Sequence, residues 1–341
     1  PHEIANVLGL DGVRFMQQRA ALTPFKILFG APSCVPATPF ESAGATLDAT
    51  AIRNLLTDGT CGYLSEVMNF PGVLNNVPDV MQKIAAARSA GVPLDGHAPG
   101  LTGALAQRYA HAGISTDHEC TTLAEARDKL AAGMSILIRE GSAAQDFNAL
   151  HPLFATHSDR IMLCSDDKHP DDLLEGHIRE LVQRALALGY PLFHVLRAAT
   201  LNPVRHYGLS LGLLQTGDPM DALLVHNLQD FQIQQAWLNG KPVVEDERCL
   251  LPQQPAQMLN RFAAQPVSAD QLQLEHPGVP CRVITAQDGK LLTGRCITTM
   301  PHDSANERLI AADLNHDVLF IAVVNRYQNA PPAVALIHGF G

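Results

Sequence analysis

Side chains able to hold a metal ion recur in this sequence at one kind of place. His97 ends the short apolar run PLDGHA, His118 ends ISTDHE, Glu66 lies near the end of GYLSEVMN, and Asp166 and Asp167 close IMLCSDD. Imidazole nitrogens and carboxylate oxygens are ligands for zinc, manganese and iron. A strand end is rigid and can hold a ligand to the tolerance a metal needs. A carboxylate such as Glu66 can bridge two ions, and two close ions lower the pKa of a shared water toward neutrality. A carboxylate beside that water, Asp166, can take its proton and hand it to a leaving group. The chemistry to expect is hydrolytic. Glu66 and Asp166 are the catalytic candidates, and Glu66, His97, His118 and Asp166 the metal-ligand candidates.

Taken singly, such residues have plainer readings. His111, His151, His157 and His276 fit surface or core-edge positions. Cys61, Cys120 and Cys164 fit packing roles. Asp167 fits a helix cap or a group supporting the ligands, and His177 a structural neighbour. Arg139-Glu140 in SILIREGSA fits either a buried ion pair or a pocket lining. The four strand-end residues point to a site because they share one alternating pattern.

That pattern begins at Lys26. KILFGAPSC, GYLSEVMN, PLDGHA, ISTDHE, SILIRE and IMLCSDD read as strands. Between and after them lie helical stretches: one around Ala51–Leu56, VPDVMQKIAAARSAG stopping at Gly91, LTGALAQRYAHAG stopping at Gly113, and TTLAEARDKLAAG capped by Thr121 or Thr122. Asp146 to Ala155 reads as helical, and Asp171 to Gly189 as one long amphipathic helix. Six strand–helix alternations with short connections predict a parallel sheet covered by helices. Polar residues at successive strand C-termini favour a barrel over an open sheet, which would bring a Gly-rich phosphate loop. Six strands do not close the usual eight-stranded barrel. PLFHVLRAATLNPVRHYGL reads as helix, turn and helix. GLLQTGDPMDALLVHNL and FQIQQAWLNGKPVVEDERC read as a small β element with a hairpin at Asn239-Gly240. Leu250 to Gln265 reads as a linker with a short helix. VPCRVITAQDGKLLTGRCITT reads as a hairpin over Asp288-Gly289, followed by strands in LFIAVVNRY and AVALIHGFG.

The 341 residues carry 24 basic and 34 acidic side chains, a formal net charge of -10. That balance argues against a nucleic-acid partner, which would need a basic face. A hydrophobic content of 46% suits a packed core. Seven scattered cysteines without a CxxC predict reduced thiols and a cytoplasmic location. No uninterrupted apolar run is long enough to span a bilayer, so no membrane partner is expected. A homodimer is one assembly compatible with these features.

In combination and in order, LSEVMNFPGV, LDGHAPGL, STDHECTT, MSILIREGSAA and MLCSDD resemble the bacterial adenine deaminases of the amidohydrolase superfamily. AATLNPVRHYGLSLGLLQTGDPMDALLV is similar to the tail by which amidohydrolases pass from barrel to β-sandwich. Asp221 stands at the family's Asp, with Met220 in place of the usual Ala. The resemblance implies that Glu66 bridges metals, that His97 and His118 bind them, and that Asp166 binds metal and shuttles a proton. It places His2 near the site, and Arg139 and Ser142 are further candidates for the substrate pocket. It implies a divalent metal pair, Mn2+ or Fe2+ with Zn2+ as an option. The implied reaction is hydrolysis of adenine to hypoxanthine and ammonia by attack of activated water on C6, in purine salvage and adenine catabolism.

The resemblance also implies what this stretch lacks. The family's first-strand HxH is nowhere in it, and the chain begins at Pro1, not Met. The expectation is an α/β protein with a (β/α)8 TIM-type barrel lacking its first strands, a small β-sandwich element and part of a C-terminal α+β domain. The expected divisions are 1–208 for the barrel, 209–250 for the β-sandwich element, 251–265 for a linker and 266–341 for the start of the C-terminal domain. Such a piece would carry half a metal site and exposed strand edges, with poor solubility or a completing partner. Two rival readings are a cyclic-amide hydrolase of the same superfamily and a non-catalytic remnant. The first is opposed by the lack of a lysine placed to be carboxylated as a metal bridge.

Overall fold

Helices alternate with short apolar strands through the first 207 residues, and side-chain caps mark the starts of three of them. In this computed structural model residues 2–255, 257–260, 262–288 and 292–340 are described. They form two compact units, one of residues 1–141 and 146–258, the other of residues 142–145 and 259–341.

The first unit opens with α1 (His2–Ala20), a helix the sequence reading did not assign, kinked at Gly9 where φ is 62°. β1 (Gly30–Ala31) keeps only two residues of KILFGAPSC, because Pro32 follows and has no N–H to pair. Asp48 starts α2 (Ala49–Thr57) by accepting the Ala51 N–H. β2 (Tyr63–Val67) leads to α3 (Phe70–Leu74), which Asn69 caps through the Gly72 N–H. α4 (Pro78–Ala90) begins on proline and stops at Gly91, whose φ of 69° suits a residue without Cβ. β3 (Leu94–Gly96), α5 (Gly103–His111) and β4 (Thr116–Asp117) follow. Of the two threonines before α6 (Leu123–Ala131), Thr122 is the cap, accepting the Glu125 N–H.

After β5 (Ser135–Arg139), the stretch expected as one helix is two single turns, α7 (Phe147–Leu150) and α8 (Leu153–Thr156), divided at His151-Pro152. β6 (Ile161–Cys164) precedes a second correction. The long helix expected over Asp171 to Gly189 is α9 (Pro170–Glu175) and α10 (Ile178–Ala187), separated by fully extended backbone at Gly176. α11 (Leu192–Ala199) and α12 (Leu201–Tyr207) break at Thr200, and Pro203 sits in the first turn of α12.

The strands form two parallel sheets, β1-β2-β3 and β4-β5-β6. A hydrogen bond of 2.9 Å from the Ser115 N–H to the Leu94 carbonyl lays them side by side, so six strands run in sequence order. One core packs Ala31, Leu64 and Leu94 against Ile52, Leu55 and Ile84. A second packs Ile136, Ile138 and Ile161 against Leu130, Phe154 and Leu181. Each large aliphatic side chain buried this way contributes about 1.5–3 kcal/mol. The unit ends in an antiparallel sheet of β7 (Ala222–Val225), β8 (Ile233–Leu238), β9 (Lys241–Glu245) and β10 (Arg248–Cys249), ordered β10-β9-β8-β7. Its β8–β9 turn is Asn239-Gly240, with φ of 49° and 76°, the left-handed pair that hairpins select.

The second unit holds β11 (Cys281–Thr285), β12 (Gly294–Thr298), β13 (Val318–Val323) and β14 (Ala333–His338), ordered β12-β11-β14-β13. Its core includes Val283, Met300, Val318 and Leu336. β11 and β12 pair as a hairpin, but Gly289 of the expected turn lies outside the described residues. Between 250 and 265 the described residues carry no helix, contrary to the sequence reading. Among the described residues no helix is long and apolar enough to cross a membrane.

Candidate metal centre

The ends of β2, β3, β4 and β6 converge because consecutive parallel strands all present their C-termini at one edge. Glu66 stands at the middle of the cluster. Its Oε2 lies 2.8 Å from His97 Nδ1 and 3.1 Å from His118 Nε2. Its Oε1 lies 3.1 Å from His2 Nδ1, so the first turn of α1 reaches the same carboxylate. The His97 and His118 rings meet edge to face, with centroids 5.4 Å apart. Glu66, His97 and His118 offer ligand atoms all within 4.8 Å of one another. A second trio, His118, Glu119 and Asp166, meets the same limit and shares His118 with the first. The four strand-end residues read from the sequence are thus brought together, in two overlapping groups.

Glu119 is a candidate ligand that the sequence reading missed. Its Oε1 lies 3.5 Å from His97 Nδ1 and 3.4 Å from His118 Nε2. The signal was present, since Glu119 directly follows His118 at a strand end. Glu119 is also gripped from behind by Arg139, whose Nη1 pairs with its Oε1 and whose Nη2 lies 3.2 Å from its Oε2. The same guanidinium donates to Asp166 Oδ2 at 3.0 Å and to Asp146 Oδ2 at 3.2 Å. Arg139 is 1% exposed and faces three carboxylates. Of the two readings of Arg139-Glu140, an ion pair between the two neighbours does not form. Adjacent strand residues point to opposite faces, and Glu140 pairs with Arg184.

Electrostatics favours a cation at this place. The four carboxylates of Glu66, Glu119, Asp146 and Asp166 outnumber the Arg139 guanidinium and the His118 imidazolium that face them. Burial works to raise the Glu66 pKa, but His118, His97 and His2 hold the carboxyl well below its ordinary range. Burial lowers the His118 pKa, yet Glu66, Glu119 and Asp166 outweigh it and push it up to about 9. His118 Nε2 is buried and has no hydrogen-bond partner, although Glu66 Oε2 is 3.1 Å away. Glu66 Oε2 and Glu119 Oε1, the latter at 3.4 Å, both face this nitrogen, which carries its proton at neutral pH and offers its lone pair once an ion displaces that proton. A divalent ion fits that orphaned donor, and the oxygen and nitrogen set around it suits such an ion.

Beneath the cluster, Asp95 on β3 accepts from Thr116 Oγ1 at 2.8 Å and Tyr207 Oη at 2.9 Å. Burial pushes its pKa up to about 6 against those hydrogen bonds. Asp166 itself has φ of 54°, the left-handed region, a strain that often accompanies function. Asp167 caps no helix, since His169 occupies the N-cap position of α9. His177 Nε2 bonds Ser165 Oγ at 2.9 Å, and His151 Nδ1 bonds Tyr190 Oη at 2.8 Å. Ser142 belongs, with the segment 142–145, to the second unit.

Comparison with known proteins adds an independent line. The model of the Amidohydrolase family matches residues 1–243. The whole chain is 49% identical to an adenine deaminase of Salinibacter ruber and 45% identical to one of Methanosarcina mazei, covering 62% and 63% of those proteins. An adenine deaminase of Sulfurovum sp. is 47% identical, again over 62% of its length. The chain therefore spans a little under two thirds of these curated relatives. Among solved structures it is similar to N-acetyl-D-glucosamine-6-phosphate deacetylase from Mycobacterium smegmatis, with TM-score 0.53, 16% identity and coverage of 69% of this chain and 71% of that one. It is also similar to a β-aspartyl dipeptidase from Fervidobacterium islandicum AW-1, with TM-score 0.51, 16% identity and 70% of each chain covered. At such identities these structures speak for a shared α/β fold alone.

Proposed function

We propose that this chain, which belongs to the amidohydrolase family, serves the hydrolytic deamination of adenine to hypoxanthine and ammonia. The observation that carries the reading is the Glu66–His97–His118 trio, with its buried, unpartnered His118 nitrogen, in a chain up to 49% identical to adenine deaminases. Glu66, His97, His118 and Asp166 are the metal ligands of this proposal, and Glu119 joins them. The donors are all nitrogen or oxygen, which suits Mn2+ or Fe2+, with Zn2+ as the alternative. A divalent ion held there supplies a Lewis acid for hydrolysis near neutral pH.

The residues themselves do the rest. Asp166 takes a proton from the attacking water and passes it to the exocyclic nitrogen. The water oxygen bonds to C6, the C6–N bond breaks, and ammonia leaves. Arg139 orients Asp166 through its 3.0 Å hydrogen bond. Glu66 orients both histidines, and His2 borders the pocket. The six parallel strands support a place within a (β/α)8 barrel. The proposed divisions are the barrel over 1–208, a β-sandwich element over 209–250, a linker over 251–265 and the start of a C-terminal domain over 266–341. Seven free thiols support a reducing, cytoplasmic setting.

A cyclic-amide hydrolase of the same family is disfavoured. Lys129, the buried lysine on this side, is held by Asp117, Glu125 and the Ala98 carbonyl, and takes no place in the trio. The test is incubation of the chain with adenine and Mn2+, followed by measurement of ammonia and hypoxanthine. Turnover that Asp166→Asn lowers by about 10²–10⁴-fold supports the reading. Stoichiometric metal with no ammonia release, or a ring-opened acid from a cyclic amide instead, overturns it.

A further inference from the structure

Asp117, Cys120 and Glu125 form a third group with metal-ligand spacing, and it is fully buried. Its centre is already filled by the Lys129 ammonium, whose side chain is 0% exposed. Nζ donates to Asp117 Oδ1 at 2.8 Å, to Glu125 Oε1 at 2.9 Å and to the Ala98 carbonyl at 2.7 Å, which uses all three of its protons.

The two carboxylates do more than neutralise the lysine. Asp117 Oδ2 accepts the Ala98 N–H at 2.9 Å, and its Oδ1 accepts the Glu119 N–H at 2.9 Å. Glu125 Oε1 accepts the Gly100 N–H at 2.8 Å, and its Oε2 accepts the Thr121 N–H at 3.3 Å. Ala98 directly follows His97. Asp117 and Glu119 flank His118 on either side. One buried cation on α6 thus organises the backbone just past two ligand-bearing strands, and the carboxylates meet four amides of those two loops.

We infer that Lys129, with Asp117 and Glu125, is a positioning clamp that sets the spacing of His97, His118 and Glu119 for a divalent ion. The inference rests on the metal reading proposed above. None of the three clamp residues reaches the ion space, since the ammonium fills the hole between the carboxylates. Their effect passes through the backbone. Outer groups that orient ligands typically govern 10–100-fold in metal affinity. A generic stabilising ion pair would not act in this selective way, and the molecule supplies a comparison. Lys83 is another buried lysine, and its ion pair, with Asp79 at 2.8 Å, stays within α4.

The experiment compares Lys129→Met, Asp117→Asn and Lys83→Met with the unaltered chain by two readouts. The first is amide hydrogen exchange at Ala98, Gly100, Glu119 and Thr121 without metal. The second is the dissociation constant for Mn2+. Asp117→Asn keeps the shape of the clamp and serves if Lys129→Met does not fold. The clamp predicts exchange at these four amides at least about tenfold faster, and Mn2+ binding about 10–100-fold weaker, in both clamp variants, with neither change in Lys83→Met. Exchange and Mn2+ affinity at unaltered values in a folded clamp variant overturn it. So do equal losses in Lys83→Met, which would mark a general stability effect. An unaltered chain that takes up no Mn2+ overturns the metal reading itself. The exchange measurement then still decides whether the clamp holds the two loops.

Discussion

His118 Nε2 is a buried nitrogen with no hydrogen-bond partner among three acidic neighbours. Leaving such a group unsatisfied costs about 1–3 kcal/mol, and an ion that displaces its proton and takes the nitrogen as a ligand removes that cost. Arg139 carries the opposite duty, holding Glu119, Asp146 and Asp166 in place around one guanidinium. Arg139→Met is expected to destabilise the fold by about 3–5 kcal/mol, because it leaves buried carboxylates without a countercharge. Urea unfolding without metal checks this, and a loss below about 1 kcal/mol would show that the carboxylates do not depend on the guanidinium. Glu66 differs from these in pairing only with histidines.

At the scale of elements, the distance between β3 and β4 sets the distance between His97 and His118. Gly96 allows that approach, since a Cβ there would lie 2.3 Å from the Thr116 carbonyl oxygen and 2.7 Å from Ile114 Cγ2. Neither the backbone oxygen nor the packed isoleucine can give way freely. Gly96→Ala should therefore cost about 1–3 kcal/mol and weaken Mn2+ binding together with stability, as read by titration and thermal melting. Wild-type Mn2+ affinity in that variant would separate strand spacing from ligand spacing. A second element-level joint is Asp221, which meets Lys26 Nζ and accepts the N–H groups of Gly212 and Asn239, each at 2.9 Å. What burial it has raises the Asp221 pKa, but Lys26 and those amides prevail and hold it below the ordinary 3.8. A carboxylate with a lowered folded-state pKa contributes stability above its unfolded value and loses it as pH falls through the folded one. Asp221→Asn should cost about 1 kcal/mol at pH 7, allowing for solvent screening. The gap from wild type should close as pH drops below about 3.8. A gap that is constant with pH would mean that the charge is irrelevant.

At the scale of the whole molecule, two units with separate cores are joined through residues around 250–268, where the described residues carry neither helix nor regular strand. Met258 there is 94% exposed. Exposed irregular chain is where proteases cut first. Thermolysin is expected to cleave within 250–268 before it cuts any strand from β1 to β6. Mass spectrometry of the early fragments checks this, and first cuts inside those six strands would contradict the division. The formal net charge is -10, and three carboxylates of the centre share a single guanidinium while Glu66 faces histidines, so carboxylates are locally concentrated where a cation would be held.

The sequence by itself determined which metal-capable side chains stand at the strand ends and that the strands alternate with helices. Glu66, His97, His118 and Asp166 were legible because residue type and strand-end position are local properties. Glu119 was within reach of the same logic, beside His118, and Lys129 stood on the buried stripe of α6 between Ala126 and Leu130. What each charge pairs with was decided only in three dimensions. Arg139 meets Glu119, 20 residues away, and not its neighbour Glu140, because the pleat turns adjacent side chains apart while parallel strands bring distant ones together. The break of the helix expected over Asp171 to Gly189 was hidden for a related reason. Gly176 can be helical or extended at little steric cost, so the apolar spacing on either side carries no mark of which it will be. Spacing along the chain names the groups, and packing across strands selects their partners.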